Sequence, residues 1–412
     1  MSYKLHTSCR VCGSENLSQY LDLGMMPLSN SLMNSADHTP ERFPLKVLFC
    51  SSCGLSQLSI VIDPEVLFGH YVYRSSISQG YRNHCKQMAK DLQEKYSLTA
   101  DSFHIDIAGN DGALLQQFKQ VIPGCKQLNV DPAVNLVPVN EKQDIRMFNT
   151  FWGTEAANHL IDTKWPKADL ITATNVFAHV DDVKDFLTAC KLAMKDTGVL
   201  VLEFPYLIDF IENAEFDTIY FEHLSYFSIQ PLDKLCEQVG LIINDISKQD
   251  IHGGSVRVEI RKQEYEYVVD EHTFEVDKWI TEEINKGYTT INPYYQFAKK
   301  VRSIISIFRT NIQGLKAEGK SIAAFGASAK GNTLLNCAGI TSKEIDFIID
   351  QTPEKIGKYS PGTGIKICND MPVKPDYIVI LAWNFAAEII EKVRSAGYTG
   401  KFILPLTFEI IE

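Results

Sequence analysis

Residues 216–228, "FDTIYFEHLSYFS", combine reactive side chains with an apolar setting. The carboxylates of Asp217 and Glu222 and the imidazole of His223 would be costly inside an ordinary core strand. A surface loop, in turn, would not expose so many aromatic rings. The aromatic residues are Phe216, Tyr220, Phe221, Tyr226 and Phe227. Because imidazole titrates near neutral pH and an apolar wall excludes water, the stretch predicts a site for acid–base chemistry. The alternative is a packing loop with satisfied polar groups.

Four of the ten cysteines form two closely spaced pairs. Cys9 and Cys12 lie in "CRVCGS", and Cys50 and Cys53 lie in "CSSCGL". The glycine after each pair suits the tight turn that directs backbone amides towards sulfur. Two such pairs supply the four thiolates of a closed tetrahedral site, so we predict a structural zinc without a catalytic role. The alternatives are redox dithiols or a coincidence of spacing.

Residues 103–118, "FHIDIAGNDGALLQQF", have the pattern of a buried strand, a glycine-rich turn and an amphipathic helix. This is the first unit of a doubly wound sheet, and Gly109 and Gly112 would let the backbone approach a ligand. Asp131 follows at the end of a second strand, at the spacing typical of an acid that holds a ribose diol.

The same turn favours S-adenosylmethionine over a dinucleotide. It lacks the GxGxxG spacing of a pyrophosphate site, and Asp111 beside Asn110 would repel a diphosphate. A ligand with a ribose and a cationic amino acid but no phosphate fits better, so we predict that Gly109, Asn110, Asp111 and Asp131 bind S-adenosylmethionine. An α/β core without a cofactor is the alternative.

Further strands place polar residues at the same edge of the sheet. "ADLITATNVFAHV" ends near Asn175 and His179, and "GVLVLEFPYL" carries Glu203 near its end. Because ligands bind at the carboxyl ends of the strands in open α/β sheets, we add Asn175 to the cofactor site. Residues 240–260 then predict a hairpin that closes the sheet.

A second strand–turn–helix unit lies near the C-terminus. Residues 264–320 show helical periodicity and predict a linking region. In "SIAAFGASAKGNTLLNC" that follows, the turn opens a helix, a natural place for phosphate. Lys355 and Lys358 lie in a later loop. The alternative is that Lys330, Lys355 and Lys358 are ordinary surface lysines. The candidate phosphate-binding residues are Ser328, Lys330, Asn332, Lys355 and Lys358.

The composition is that of an ordinary globular protein, with 45% hydrophobic and 22% charged residues. The length of 412 residues predicts two or three domains. A net charge of −11 argues against a nucleic-acid or anionic-membrane partner. The sequence shows neither a membrane-spanning apolar stretch nor an N-terminal signal peptide, so we expect a cytoplasmic protein.

These motifs, in their order and spacing over nearly the whole chain, resemble the sugar C-methyltransferases of deoxysugar biosynthesis. That family methylates C3 of a nucleotide-linked 4-keto-6-deoxyhexose. Two departures concern the cofactor turn, "DIAGNDG" rather than "EIGSNDG", and Phe221, which replaces the first histidine of "YHEH". The motifs that carry the resemblance are the two cysteine pairs, "YVYRSS", "GNDGALL", "NVFAH", "FDTIYFEHLSYFS", "HGGSVR", "FGASAKGNTLLN" and "ILAWNF".

The resemblance implies an α/β protein with three domains. Residues 1–75 would form the cysteine zinc domain. Residues 76–263 would form a class I, Rossmann-like methyltransferase domain that uses S-adenosylmethionine. Residues 264–412 would form a helical linker and a C-terminal Rossmann-like domain that binds the nucleotide sugar.

It also implies a reaction. The C4 ketone acidifies the C3 proton, and its removal gives an enolate whose carbon attacks the sulfonium methyl. His223 would be the base, and Glu222 would orient it or stabilise its charged form. The groups that would donate hydrogen bonds to the sugar oxygens are Tyr220, Tyr71, Tyr73 and His179.

Two other functions are compatible with the individual motifs. A dehydrogenase or epimerase would bind NAD in either Rossmann-like unit. A non-catalytic scaffold would use the zinc domain and the Rossmann-like units for assembly, and loss of His223 would then change nothing measurable.

Overall fold

The computed structural model describes residues 3–251, 253–264 and 269–412. Residues 265–268 of the predicted linking region and His252 of the "HGGSVR" motif lie outside the described residues. In the described part of the chain, no helix has the length and apolar character needed to cross a membrane.

The N-terminal part is built from five strands: β1 (Tyr3–Leu5), β2 (Leu17–Pro27), β3 (Arg42–Cys50), β4 (Ser56–Leu58) and β5 (Ile60–Ile62). β2 and β3 form a long antiparallel hairpin that fills the interval between the two cysteine pairs, and β4 adds to β3. β1 pairs with β5. The burial of β3 alternates along most of its length, as expected for a strand with one face on the core.

A seven-stranded sheet follows the helices α1 (Pro64–Phe68) and α2 (Gln79–Tyr96). Its parallel strands are almost continuously buried, because helices cover both faces of such a sheet. The first elements are β6 (Phe103–Ile107), α3 (Ala113–Val121), β7 (Lys126–Val130), α4 (Val137–Glu141), β8 (Met147–Phe148), α5 (Thr154–Asp162), β9 (Ala168–Thr174), α6 (Val183–Ala193) and β10 (Met194–Pro205).

The aromatic stretch lies between this sheet and the N-terminal one. It follows α7 (Leu207–Glu212), and its strand β11 (Ser225–Tyr226) pairs with β4. After α8 (Ile229–Val239), the predicted hairpin forms as β12 (Leu241–Gln249) and β13 (Ser255–Lys262). The sheet order is β12-β13-β10-β9-β6-β7-β8, and only β13 runs antiparallel.

Two helices, α9 (Val269–Asn285) and α10 (Asn292–Ala317), precede a six-stranded sheet. The sheet is parallel except for its last strand, and its order is β16-β15-β14-β17-β18-β19. Its elements are β14 (Ile322–Phe325), α11 (Ala329–Ala338), β15 (Ile348–Ile349), β16 (Ile367–Cys368), β17 (Tyr377–Ile380), α12 (Ala386–Ser395), β18 (Lys401–Leu404) and β19 (Glu409–Ile411).

The predicted fold class is confirmed: two Rossmann-like sheets accompany a cysteine-rich N-terminal sheet. The residues just past β6, β7, β9, β14, β15 and β17 all line one cavity. The two sheets therefore face each other with their carboxyl ends. The domain boundaries at residues 75/76 and 263/264 stay a prediction.

Candidate active site

A cavity of about 830 Å³ lies between the two Rossmann-like sheets. Tyr71 and Tyr73 line it from the segment between α1 and α2, and Asn30 reaches it from the loop between β2 and β3. Ligand cavities in proteins typically measure roughly 300–1,000 Å³. The volume of this cavity therefore falls in the range of known ligand-binding sites.

Asp131 faces this cavity from the end of β7. Its Oδ1 accepts a hydrogen bond from the Ala133 amide at 2.8 Å, and its Oδ2 accepts one from the Asn110 amide at 2.9 Å. Burial raises the pKa of this carboxyl above its ordinary value. Each oxygen keeps a second acceptor position, so a ribose diol can still bind here. Asn175 lines the cavity from the end of β9.

The glycine-rich turn is shaped by its own packing. A Cβ on Gly109 would lie 2.5 Å from Asp106 Oδ2 and 2.8 Å from Asn129 Oδ1. Gly109 itself is outside the cavity lining. This glycine is therefore required by side chains of the neighbouring strands and not by the approach of a ligand, which differs from our expectation.

Asn110 and Asp111 direct their side chains to the segment between α1 and α2. The Asn110 amide donates to the Tyr73 carbonyl at 3.1 Å, and its oxygen accepts from the Ser75 amide at 3.1 Å. Asp111 is outside the cavity lining and accepts from the Ser76 hydroxyl at 2.5 Å. Both residues, which we predicted to bind the cofactor, therefore bond to the segment between α1 and α2, and only Asn110 also lines the cavity.

A column of aromatic rings runs along one side of the cavity. Ring centroids lie 5.4 Å apart for Phe68 and His179, 5.0 Å apart for His179 and His223, and 4.1 Å apart for His223 and Tyr220. The Tyr220 hydroxyl and His223 Nε2 are 2.8 Å apart, within hydrogen-bonding distance. All four residues line the cavity, which brings the predicted base, His179 and a phenol together.

The protonation states of this column are set by burial. Burial lowers the pKa of His179 to about 4, so its imidazole is neutral at pH 7 and can donate or accept one hydrogen bond. Burial also raises the pKa of Tyr220 well above its ordinary value and raises that of Tyr71. Both phenols therefore remain donors across the physiological range.

Glu222 makes a contact that differs from the predicted one. Its Oε1 accepts a hydrogen bond from Asn30 Nδ2 at 2.9 Å, whereas Tyr220 is the hydroxyl at His223 Nε2. Its Oε2 is buried without a hydrogen-bond partner among the described residues. Burial raises the pKa of Glu222 to about 7. The carboxyl lies behind the cavity wall and couples the aromatic stretch to the β2–β3 loop.

We expect Glu222→Gln to stabilise the protein relative to wild type as pH rises. A carboxyl whose pKa is raised from 4.5 to about 7 on folding contributes stability below pH 4.5 that is lost as pH rises through 7. The corresponding change is roughly 3 kcal/mol. Thermal unfolding at about pH 5 and about pH 8 measures it. Glu15→Gln replaces an exposed carboxylate as the control. A stability difference that does not change with pH would contradict this prediction.

The C-terminal sheet supplies the opposite wall. Ser328, Lys330 and Lys355, which we predicted to bind phosphate, line the cavity next to Phe325. Ser328 also caps α11, because its hydroxyl accepts from the Gly331 amide at 3.1 Å.

Lys355 is less available to an anion than predicted. It is buried, donates to the Ala327 carbonyl at 2.9 Å and lies 3.4 Å from Asp350 Oδ2. Two further residues that we predicted to bind phosphate lie outside the cavity lining. Asn332 accepts from the Ser360 hydroxyl at 2.7 Å, and Lys358 is half-buried in the loop before β16.

Asp217 connects the aromatic stretch to the C-terminal sheet. Trp383 Nε1 donates to its Oδ2 at 2.6 Å, and Lys330 Nζ lies 4.5 Å from the centre of the Trp383 ring. Asp217 is buried, and burial raises its pKa. Asp217 therefore joins the aromatic stretch to the segment after β17 of the C-terminal sheet.

The four cysteine thiols of the N-terminal pairs form one cluster. Their sulfur atoms all lie within 4.8 Å of one another, and the Cys9–Cys53 and Cys12–Cys50 separations are 3.4 and 3.6 Å. Zinc bound tetrahedrally by thiolates at about 2.3 Å requires sulfur atoms ~3.8 Å apart. The cluster therefore fits zinc and needs little rearrangement. None of the four cysteines lines the cavity.

Three residues of the site were missed by sequence reasoning. Phe68 stacks on His179, and Asn30 donates a hydrogen bond to Glu222. Arg10 donates to Asp181 and Leu224, which lie close in sequence to His179 and His223. Arg10 had one local signal, its position between two zinc ligands. Phe68 and Asn30 had none, because each contacts a residue that is more than 100 positions away in the chain.

Three family models match successive parts of the chain. Residues 9–68 match a "Putative zinc binding domain", residues 81–244 a "Methyltransferase domain", and residues 250–407 a "C-methyltransferase C-terminal domain".

One curated protein aligns with nearly the full chain. It is C-methyltransferase NovU from Streptomyces niveus, 33% identical over 404 residues that cover 97% of this chain and 95% of that protein. Among solved structures, the mitomycin 7-O-methyltransferase MmcR shows 16% identity and a TM-score of 0.35 over 45% of this chain and 55% of that chain. An S-adenosylmethionine-dependent methyltransferase from Clostridium acetobutylicum shows 13% identity and a TM-score of 0.35 over 44% and 92%, respectively.

Proposed function

The chain belongs to the C-methyltransferase family, and from this premise we propose that it methylates C3 of a nucleotide-linked 4-keto-6-deoxyhexose through an enolate. The enzyme is an S-adenosylmethionine-dependent C-methyltransferase with a zinc-binding N-terminal domain. The proposal is supported above all by the Tyr220–His223–His179 column, because these side chains line the same cavity as Asp131 and Asn175. Family membership sets aside the NAD-dependent and scaffold alternatives.

The cofactor side is proposed to lie at the ends of β6, β7 and β9. Asp131 would hold the ribose diol, and Asn175 would lie next to the amino acid end of the cofactor. Asn110 and Asp111 would hold the segment between α1 and α2 over this side of the cavity. S-adenosylmethionine supplies an electrophilic methyl group on a sulfonium.

His223 is proposed to take the C3 proton. In the tautomer with an unprotonated Nε2, Tyr220 donates its hydroxyl proton to the ring at 2.8 Å. Tyr220 then has an oxygen lone pair directed away from the imidazole, so it can receive the substrate proton while it passes its own to His223. This relay keeps the phenol neutral, as its raised pKa requires.

His179, Tyr71 and Tyr73 are proposed to stabilise the enolate oxygen. His179 is neutral because burial lowers its pKa to about 4, so it can donate without competing for the proton. Hydrogen-bond donors aimed at a developing oxyanion in a water-excluded site are worth several kcal/mol each. Tyr71 and Tyr73 reach the same space from the covering segment.

The C-terminal Rossmann-like domain is proposed to bind the diphosphate of the nucleotide sugar. Ser328 and Lys330 lie at the N-terminus of α11, where backbone amides and the helix dipole favour an anion. This arrangement would present the sugar to the histidine column. We accordingly propose residues 1–75, 76–263 and 264–412 as the zinc, methyltransferase and sugar-nucleotide domains.

Methyl transfer to a panel of nucleotide sugars tests the proposal. Each 4-keto sugar should be paired with its 4-hydroxy analogue, because only the ketone acidifies the C3 proton. We expect methylation of at least one 4-keto member and of no 4-hydroxy member, with the new methyl on carbon. Transfer to a 4-hydroxy analogue, or to a sugar oxygen, would rule out an enolate route.

Replacing Asp131 with alanine should weaken S-adenosylmethionine binding by roughly 2 kcal/mol or more, about 30-fold, because a charge-assisted pair of hydrogen bonds to the ribose is lost. Calorimetry measures the affinity, and the affinity for the sugar nucleotide should change little. A 2′-deoxy analogue of S-adenosylhomocysteine provides the matched control. If Asp131 binds the diol, the variant and the analogue should not have additive losses. Fully additive losses would place the ribose elsewhere.

A further inference from the structure

Arg10 lies between two of the zinc-binding cysteines, yet its side chain points into the protein. The guanidinium is fully buried, with 0% of the side chain exposed. Its Nε donates to Asp181 Oδ1 at 3.0 Å, and its Nη1 donates to the carbonyls of Leu58 and Leu224 at 3.0 and 3.2 Å. A buried charge of this kind is tolerated because an ion pair and carbonyl acceptors compensate for the lost hydration.

The acceptors of Arg10 adjoin the two stacked histidines. Asp181 follows His179 by two residues, and Leu224 directly follows His223. The two loops are also joined to each other, because the Leu224 amide donates to the Ala178 carbonyl at 2.8 Å.

The N-terminal sheet also contacts the loop that carries His223. The amide of Leu58, at the end of β4, donates to the Leu224 carbonyl at 2.9 Å, the same oxygen that accepts from Arg10. The Arg10 amide itself donates to Gln57 Oε1 at 2.9 Å. The Arg10 guanidinium therefore contacts β4 and the loops that carry His179 and His223. Arg10 itself belongs to the turn between Cys9 and Cys12, which we call the zinc knuckle.

Asp181 remains ionised in this setting. Burial raises its pKa, but His6 and Arg10 outweigh that effect and hold the pKa at about 2. His6 Nε2 lies 2.6 Å and Lys4 Nζ 3.8 Å from the carboxylate. The contact between Asp181 and Arg10 is thus an ion pair at any pH at which the enzyme works.

We propose that Arg10 is a positioning residue that fixes the spacing of the His179 and His223 rings, so that the zinc knuckle sets the geometry of the catalytic column. The inference rests on the proposed function of that column. It does not place Arg10 in contact with substrate or cofactor, since Arg10 is outside the cavity lining.

The test is Arg10→Met, which keeps an unbranched side chain and removes the guanidinium. We expect kcat to fall on the order of 10- to 100-fold, because a displacement of about 1 Å in a catalytic group has an effect of that size. The zinc content, the S-adenosylmethionine affinity and the KM for the sugar nucleotide should stay within about twofold of wild type. The histidine ring signals in NMR spectra should shift for His179 and His223.

Two further variants make the result specific. Asp181→Ala breaks the ion pair from outside the knuckle and should lower kcat to a similar degree. The double variant should be no slower than Arg10→Met alone, as expected for residues that act through one contact. Lys4→Met is the control, because its side chain is 72% exposed and its charge lies 3.8 Å from the same carboxylate without a hydrogen bond. It should retain wild-type kcat.

A wild-type kcat in Arg10→Met would overturn the proposal. If Arg10→Met loses zinc, Asp181→Ala with zinc retained decides the question, and a wild-type kcat there overturns it. Failure of the proposed function looks different. In that case the wild-type enzyme would not methylate any 4-keto sugar, while the NMR signals would still report whether Arg10 positions the two rings.

Discussion

Replacing His223 with alanine should abolish methyl transfer while S-adenosylmethionine and the sugar nucleotide still bind. His223 is the imidazole of the aromatic stretch, it lines the cavity, and its Nε2 lies 2.8 Å from the Tyr220 hydroxyl. Loss of a general base typically lowers a rate roughly 100- to 10,000-fold. The measurement is kcat with a 4-keto substrate, accompanied by calorimetric affinities for both ligands.

Exchange of the C3 proton with deuterated solvent separates deprotonation from methyl transfer. With S-adenosylhomocysteine in place of the methyl donor, wild type should introduce deuterium at C3 and His223→Ala should not. His38→Ala replaces an exposed histidine of the β2–β3 loop and should behave as wild type. If His223→Ala exchanges C3 at the wild-type rate, the base is another group, and His179 or Tyr220 becomes the candidate.

Tyr220→Phe distinguishes the two ways in which His223 can act. If Tyr220 relays the proton, removal of its hydroxyl should reduce C3 exchange as far as His223→Ala does. If the hydroxyl only orients the imidazole, exchange should persist at a reduced rate. Either result is compatible with His223 as the final proton acceptor, so the comparison concerns the route and not the identity of the base.

The parts of the site that follow from local chain geometry were predictable. Asp131, Asn175 and His179 come just after buried strands, and the carboxyl ends of parallel strands meet at one edge of a sheet. The two cysteine pairs were recognisable because zinc needs four thiolates at turn-like spacing. In both cases, residues close in sequence determine the chemistry.

The orientation of side chains within those segments was not predictable. Asn110 and Asp111 occupy the expected turn, but their side chains bind the segment that covers the cavity. Lys355 lies in the expected loop, but Asp350 pairs with it. The partners of Asn110 and Asp111 lie in a distant chain segment, whereas the Lys355–Asp350 pair depends on the path of the loop that contains both residues. One sequence specifies neither.

The contact between the zinc domain and the aromatic stretch could not be predicted from the sequence either. β4 and β11 are about 170 residues apart in the chain, yet Ser56 and Gln57 pair with Tyr226 and Ser225. Strands of two and three residues carry too little periodicity to be recognised alone. Tyr220 and His223 could be predicted from the sequence as catalytic residues, but the contacts that Asn30 and Arg10 make with this part of the chain could not be predicted.

Because β4 pairs with β11, we expect loss of zinc to affect catalysis as well as the N-terminal sheet. We expect one zinc per chain, and we expect Cys9→Ser combined with Cys50→Ser to lose the metal and to unfold the N-terminal sheet. Structural thiolate zinc contributes on the order of 10 kcal/mol, which exceeds what a sheet this small gains from its core. Elemental analysis gives the zinc content, and hydrogen exchange should show loss of protection in β2, β3 and β4.

The loss should extend to catalysis but not to the cofactor sheet. β4 pairs with β11, directly after the loop that carries His223, so unfolding of β4 releases the aromatic stretch and should abolish methyl transfer. The parallel strands β6, β7 and β9 have their own buried core and should stay protected, with S-adenosylmethionine still bound. Cys368→Ser, at a half-buried thiol in β16, is the control and should keep its zinc and activity. Purified protein without zinc, or a double serine variant as stable as wild type, would show that the cysteine cluster is held together by packing alone.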